Sequence, residues 1–256
     1  MSDADDLEFV SALLGSAELR VERIPESTEQ GIRRCDLRAD DDNEQYLIEV
    51  KGIHEDEATA VALRDDKIYS ASKPISGSCV VSDVVDDAVK QVSMTAGPGY
   101  PGLRLVVLIG RGLISSNVIR DRMVSTLYGM GSIAELKVPM QAARPCLYFS
   151  HSAFFRHRRN LDGVVMMDDT GAGMCVNDHS PRAQRVHDSR LGRYFAGLGL
   201  LHDARRMETE GRYLIADCDI DRNDQGAILK YLAKKYDLTR PTILWSYGFV
   251  GGVTIE

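Results

Sequence analysis

Residues 103–109 read LRLVVLI, an almost unbroken apolar run that follows the turn-forming stretch TAGPGYPG at 95–102. So short and continuous a run is the signature of a strand buried on both faces, and such a strand needs a layer on each side of its sheet. The expected fold class is α/β, with a central mixed sheet flanked by helices and residues 103–109 at its middle.

The segments on either side supply those layers. Leu7, Val10 and Leu14 form a helical stripe over 3–14, with Gly15 as a stop. Three strand-like segments follow at 18–24, 33–39 and 45–53, separated by polar turns. A helix is expected from about Glu55 to Tyr69, then a loop over 70–78. A further helix is expected from Asp83 to Met94, capped by Ser82, with Asp83, Asp86 and Asp87 suiting its N-terminal dipole. Past the central strand we expect a helix near 114–127, a strand at 146–150 and a hairpin around the turn Thr170–Gly173. Ser180 reads as a helix cap with Pro181 at the first helical position, and a short helix is expected at 189–197. Residues 207–256 read as strand, helix and strand, a small C-terminal β-α-β appendage to a domain of residues 1–206.

Composition narrows the function classes. No stretch approaches the ~20 apolar residues needed to span a bilayer. The first residues, MSDADDLEFV, are acidic and lack the basic-then-apolar pattern of a secretory signal, so a cytoplasmic location is expected. Five cysteines are scattered without any CxxC and without histidines at ligand spacing, which predicts reduced thiols and no zinc site. The net charge of −7 is uneven: −12 over residues 1–66, +7 over 67–206 and −2 over 207–256. Phosphate binding needs a local positive surface rather than a basic whole, and the basic middle offers one. Arg156, Arg158 and Arg159 beside His157, and Arg182 and Arg185 with Arg190 and Arg193, are the candidates for gripping a nucleic-acid backbone. The alternative for the same residues is a solubilising face.

Within QYLIEVKGI (45–53), alternation puts Leu47, Glu49 and Lys51 on one face of a strand and Tyr46, Ile48 and Val50 on the other. If the preceding strand pairs with it antiparallel through the turn at 41–44, facing positions sum to 85, and Asp36 lies opposite Glu49. Like charges set opposite one another repel, and a divalent cation between them is the usual reason to keep them. Lys51, one strand step away, is placed to orient a water or to stabilise charge on a phosphate. Taken alone, Glu-x-Lys is an ordinary solvated strand face. The register of Asp36 and the order of the surrounding elements are what add to it.

With Asp36 on one strand and Glu49-Val50-Lys51 on the next, after an opening helix, the chain resembles the PD-(D/E)xK, or restriction-endonuclease-like, phosphodiesterase superfamily. The resemblance covers about residues 1–110, and the hairpin region to about 200 completes the domain. It implies a Mg²⁺- or Mn²⁺-dependent nuclease in which Asp36 and Glu49 hold the metal, the carbonyl of Val50 completes its shell and Lys51 positions the attacking water. Gln91, in a row with Val84 and Ala88, takes the place of the glutamine that members often carry on the following helix, and Glu8 is an accessory metal-ligand candidate. Cys35 departs from the pattern, standing where the name motif has proline. The resemblance favours DNA over RNA, is compatible with restriction, host defence or repair, and brings a homodimer or partner protein into view because two strands are most simply cut by two sites. Its rival is a nuclease-like module that has lost activity and binds or regulates within a larger assembly.

Other chemistries find no foothold. DIDRNDQG (219–226) imitates a calcium loop but has Asp224 at the turn glycine and Lys230 at the bidentate glutamate. There is no GxxxxGK[ST] phosphate loop and no GxSxG elbow.

Overall fold

The computed structural model describes residues 3–25, 34–54, 69–74, 79–111, 116–136, 143–244 and 247–252. In chain order the first elements are α1 (Asp3–Ser16), β1 (Arg20–Arg23), β2 (Leu37–Asp40), β3 (Gln45–His54), β4 (Tyr69–Pro74), α2 (Cys79–Ala96), β5 (Leu103–Arg111), α3 (Ser116–Tyr128), β6 (Gly131–Glu135) and β7 (Arg144–Leu147). Then come α4 (Ala153–Arg156), β8 (Gly163–Asp168), β9 (Gly171–Val176), α5 (Ala183–Asp188), α6 (Arg190–Gly197), β10 (Leu201–His202), α7 (Ala204–Thr209), β11 (Leu214–Ile215), α8 (Gln225–Tyr236), β12 (Pro241–Leu244) and β13 (Tyr247–Gly252). The protein is α/β, as expected, and it divides into two compact units. One is formed by Met1–Ile53, Asp83–Arg111 and His157–His202, the other by His54–Ser82, Gly112–Arg156 and Asp203–Glu256.

The first unit is built on a seven-stranded mixed sheet ordered β1-β2-β3-β5-β8-β9-β10, so β5 is its central strand. Leu105, Val106, Val107, Leu108 and Ile109 are all buried, the side chains of both faces together, because each face of β5 has its own covering. One face joins Leu37, Ala39, Tyr46, Ile48, Leu105 and Val107 to Val10 and Leu14 of α1 and to Val186, Leu191 and Phe195 of α5 and α6. The other carries Glu49 and Lys51, and α2 lies on it, since Lys51 reaches Asp87 there. Gly102 leads into β5 so close to β3 that a Cβ on it would stand 2.5 Å from the carbonyl oxygen of Gln45.

The β2–β3 hairpin decides where the charged residues fall. Asp41 Oδ1 accepts from the backbone N–H of Asn43 (2.7 Å) and of Glu44 (2.8 Å), and the Asp41 N–H donates to the Glu44 carbonyl (3.0 Å). This aspartate-centred turn closes the loop so that Asp40 pairs with Gln45, Ala39 with Tyr46, Arg38 with Leu47 and Leu37 with Ile48. The register is the one expected from the sequence. Arg185 of α5 holds the turn from outside, donating from Nη2 to both Glu44 carboxylate oxygens at 2.7 and 2.9 Å.

The second unit contains a four-stranded sheet, β11-β7-β6-β12, and the antiparallel pair β13-β4. Tyr128 packs edge-on against Tyr148 and Phe154, with ring centroids 5.4 and 5.1 Å apart, and buried Arg222 lies over the Phe155 ring at 3.7 Å.

Several local expectations are corrected. The strands within residues 207–252 pair with strands outside that segment, β11 with β7, β12 with β6 and β13 with β4. The expected loop at 70–78 is, over 69–74, strand β4; residues 75–78 and the expected helix from Glu55, as far as residue 68, lie outside the described residues. Helix α2 starts at Cys79, so Ser82 is inside it and accepts from Arg156 (2.8 Å) instead of capping. The β8–β9 turn is Asp169–Thr170 rather than 170–173, since Asp168 Oδ1 accepts from the N–H groups of Thr170 and Gly171 and pairs Asp168 with Gly171. Ser180 does not cap α5, whose N-cap is Arg182; it donates to Asp162 and accepts from the Arg182 N–H.

The packing of the central strand yields a stability prediction. Leu105→Ala, at a side chain 1% exposed in the middle of the sheet, should lower the unfolding free energy by about 2–5 kcal/mol. Urea denaturation followed by circular dichroism reads the loss, and an unchanged midpoint would contradict the central placement of β5.

Candidate metal centre

Glu49 is 1% exposed, although carboxylates are almost never buried without a partner. Lys51 Nζ donates to its Oε1 at 2.7 Å. The other oxygen, Oε2, is buried with no hydrogen-bond partner among the described residues. Asp36 lies at the entrance of β2, where the register extended by one residue sets it opposite Glu49. Its Oδ2 accepts from the backbone N–H of Val50 at 2.8 Å. Thus the hairpin brings together Asp36, Glu49, Val50 and Lys51, the four residues singled out on it.

Gln91 enters from α2 and is 7% exposed. Its Nε2 donates not to Glu49 or Asp36 but to Asp87 Oδ2 at 3.0 Å, and that same oxygen is 3.5 Å from Lys51 Nζ. Asp87 is therefore a member of the cluster that the sequence reading assigned only to a helix dipole. Its i, i+4 spacing from Gln91 is the signal that could have found it. The neighbouring Asp86 is engaged elsewhere, 2.6 Å from His157 Nε2. Glu8 is exposed, while Asp6 of the same helix is buried and ion-paired with Arg111.

The departure at Cys35 has a structural counterpart. The Cys35 N–H donates to Thr95 Oγ1 (2.8 Å), whose hydroxyl donates to the Gln91 carbonyl (3.0 Å), tying the entrance of β2 to the end of α2. Proline has no N–H to make that bond. Burial pushes the Cys35 thiol up to about 11, which leaves it inert as a nucleophile near neutral pH.

The electrostatics of the centre follow from burial. Desolvation raises the Glu49 carboxyl from 4.5 to about 7, Lys51 opposes the rise, and Asp36 adds to it through its charge and through a hydrogen bond to the protonated form. Glu49 and Asp87 both lie within ion-pair reach of the Lys51 ammonium, and among the described residues Glu49 Oε2 has no hydrogen-bond partner. A cation held by Asp36 and Glu49 would meet oxygen donors alone, the kind of ligand that hard divalent ions such as Mg²⁺ or Mn²⁺ prefer.

The arginines are more dispersed. Arg182 Nε donates to both oxygens of fully buried Asp162 at 3.0 and 2.9 Å, and Arg185 is engaged by Glu44, so both serve contacts inside the fold. Arg159 is exposed and Arg158 partly so; the Arg159 carbonyl accepts from Arg104 and Arg182, which fixes the path of this segment. Arg156 belongs to the second unit.

Compared with protein-family models, with curated proteins and with solved structures, the chain matches none. Among the described residues no helix is long and apolar enough to cross a membrane.

The raised Glu49 carboxyl predicts a pH dependence of stability. Below pH 4.5 the group is neutral in both folded and unfolded chains and costs nothing. Between 4.5 and about 7 the unfolded chain ionises first, so stability falls as pH rises, by roughly 3 kcal/mol in the metal-free protein. Glu49→Gln removes that part of the decline, and urea titrations of both proteins at pH 4.5 and pH 8 measure the difference.

Proposed function

We propose that the protein is a Mg²⁺- or Mn²⁺-dependent nuclease that hydrolyses phosphodiester bonds in nucleic acid, DNA in preference to RNA. The observation that carries the proposal is the buried Glu49 carboxylate beside Asp36, whose Oε2 has no hydrogen-bond donor among the described residues, with an ammonium 2.7 Å from the other oxygen. A carboxylate held dry in this way takes up a proton more readily, as the raised Glu49 carboxyl does, or has its charge answered by something more than Lys51, and a divalent cation is such a group. Asp36 and Glu49 would hold the cation, with the Val50 carbonyl completing the shell as the resemblance implies. A bound divalent cation supplies Lewis-acid polarisation of the phosphate and a water of lowered pKa.

The chain's own residues do the rest. Lys51 directs its ammonium into the centre, where it orients a water or offsets charge building on the phosphoryl oxygens. Gln91 helps indirectly, by fixing Asp87. Arg159 and Arg158 provide positive charge for the nucleic-acid backbone, a sequence-independent grip that weakens as salt rises. The proposal places the protein in the cytoplasm, a reducing compartment in which the described cysteines Cys35, Cys146, Cys175 and Cys218 stay as thiols.

A second reading, a catalytically inactive binding or regulatory module, draws on one observation: Lys51 closes an ion pair with Glu49 that offsets much of the carboxylate's charge without a metal. Incubation of the purified protein with single- and double-stranded DNA and RNA in Mg²⁺ or Mn²⁺ separates the two. We expect metal-dependent cleavage, falling by at least about a hundredfold in Lys51→Ala and in Glu49→Gln. Absence of cleavage by the wild type, together with no Mn²⁺-induced rise in melting temperature, would move the assignment to the inactive module.

A further inference from the structure

Asp87 lies in the middle of α2, beyond the reach of the helix's terminal dipole, and its carboxylate does something specific. Its Oδ2 accepts from Gln91 and stands 3.5 Å from Lys51 Nζ, while Lys51 is 2.7 Å from Glu49 Oε1. One ammonium is flanked by two carboxylates, the nearer of which is the candidate metal ligand. Glu49 cannot give its charge fully to Lys51 and to a divalent cation at once, and an ammonium beside such a cation is repelled by it. To remain in the centre, Lys51 needs a second anionic partner that is not itself a ligand. Asp87 is in reach, and its i, i+4 bond with buried Gln91 holds it in place.

We propose that Asp87 is a positioning residue: with a cation on Glu49, Asp87 would hold the Lys51 ammonium in its place, leaving the Glu49 carboxylate to the cation and keeping the ammonium directed into the centre. The inference rests on the metal-dependent reading and assigns a role that reading leaves open. It also gives Gln91 its purpose, as the group that orients Asp87 rather than one that touches substrate.

Metal binding tests it without recourse to activity. Mn²⁺ affinity is measured by calorimetry for the wild type, Asp87→Asn, Lys51→Met and the double variant, with thermal melting to show that each is folded. In Asp87→Asn, Lys51 keeps only Glu49 as an ion-pair partner among the described residues, so affinity should fall about tenfold; with Lys51→Met already present the same change should cost no more than about twofold. Asp87→Glu, which keeps the charge, should restore most of the affinity, and it carries the test if Asp87→Asn fails to fold. In cleavage assays Asp87→Asn should lower kcat with little change in KM for nucleic acid. Equal losses of affinity in both Lys51 backgrounds, or no recovery in Asp87→Glu, would overturn this role alone. A wild type that takes up no Mn²⁺ would overturn the nuclease reading and this role together.

Discussion

The turn at Asp41 fixes the position of every hairpin group in the candidate centre. By accepting two backbone N–H groups it makes Asp40 face Gln45, and from that pair the facing of Leu37 with Ile48, and of Asp36 with Glu49, follows without further choice. Side chains alternate along a strand, so a slip of one residue would drive Glu49 and Lys51 into the apolar layer occupied by Tyr46 and Ile48 and turn those two toward α2. The grip of Arg185 on Glu44 works to the same end from α5.

From this hairpin the contacts run in a ring. The Cys35 N–H reaches Thr95, Thr95 reaches the Gln91 carbonyl, Gln91 reaches Asp87, Asp87 stands beside Lys51, and Lys51 is bonded to Glu49. Asp36 completes the circuit through the Val50 N–H. Strand and helix are joined on both sides of the charged cluster, so its members are held by backbone as well as by one another. Preorganisation of this kind is what a site needs if charge is to be stabilised without rearrangement.

The central strand and the β2–β3 register were legible because each leaves a local mark: an unbroken apolar run in one case, alternation on both sides of a polar turn in the other. Strand β4 left none. Its residues YSASKP lack an apolar alternation and become a strand by pairing with β13, at the far end of the chain. The start of α2 was hidden because Ser82-Asp83 imitates a cap, and that misplacement brought Asp87 near enough to the expected N-terminus to be read as answering the helix dipole. The engagements of Arg182 and Arg185 depend on Asp162 and Glu44, 20 and 141 positions away, and no local pattern reports such partners. Of the candidate centre, the two strands were readable and the helix was readable only in outline.

The two units are threaded through one another along the chain, three segments each in alternation. The parallel pair β5 and β8 requires a crossover, and α3, β6, β7 and α4 of the second unit all lie within it. During synthesis on the ribosome the Asp36–Glu49 hairpin therefore emerges long before the strands that finish its sheet. β5 stays without its outer neighbour until the crossover has been made, and the second unit waits for the last strands of all. Neither unit matches a continuous stretch of the gene, so no single truncation separates them, and the long interval in which apolar strands lack partners makes the nascent chain a natural client for chaperones.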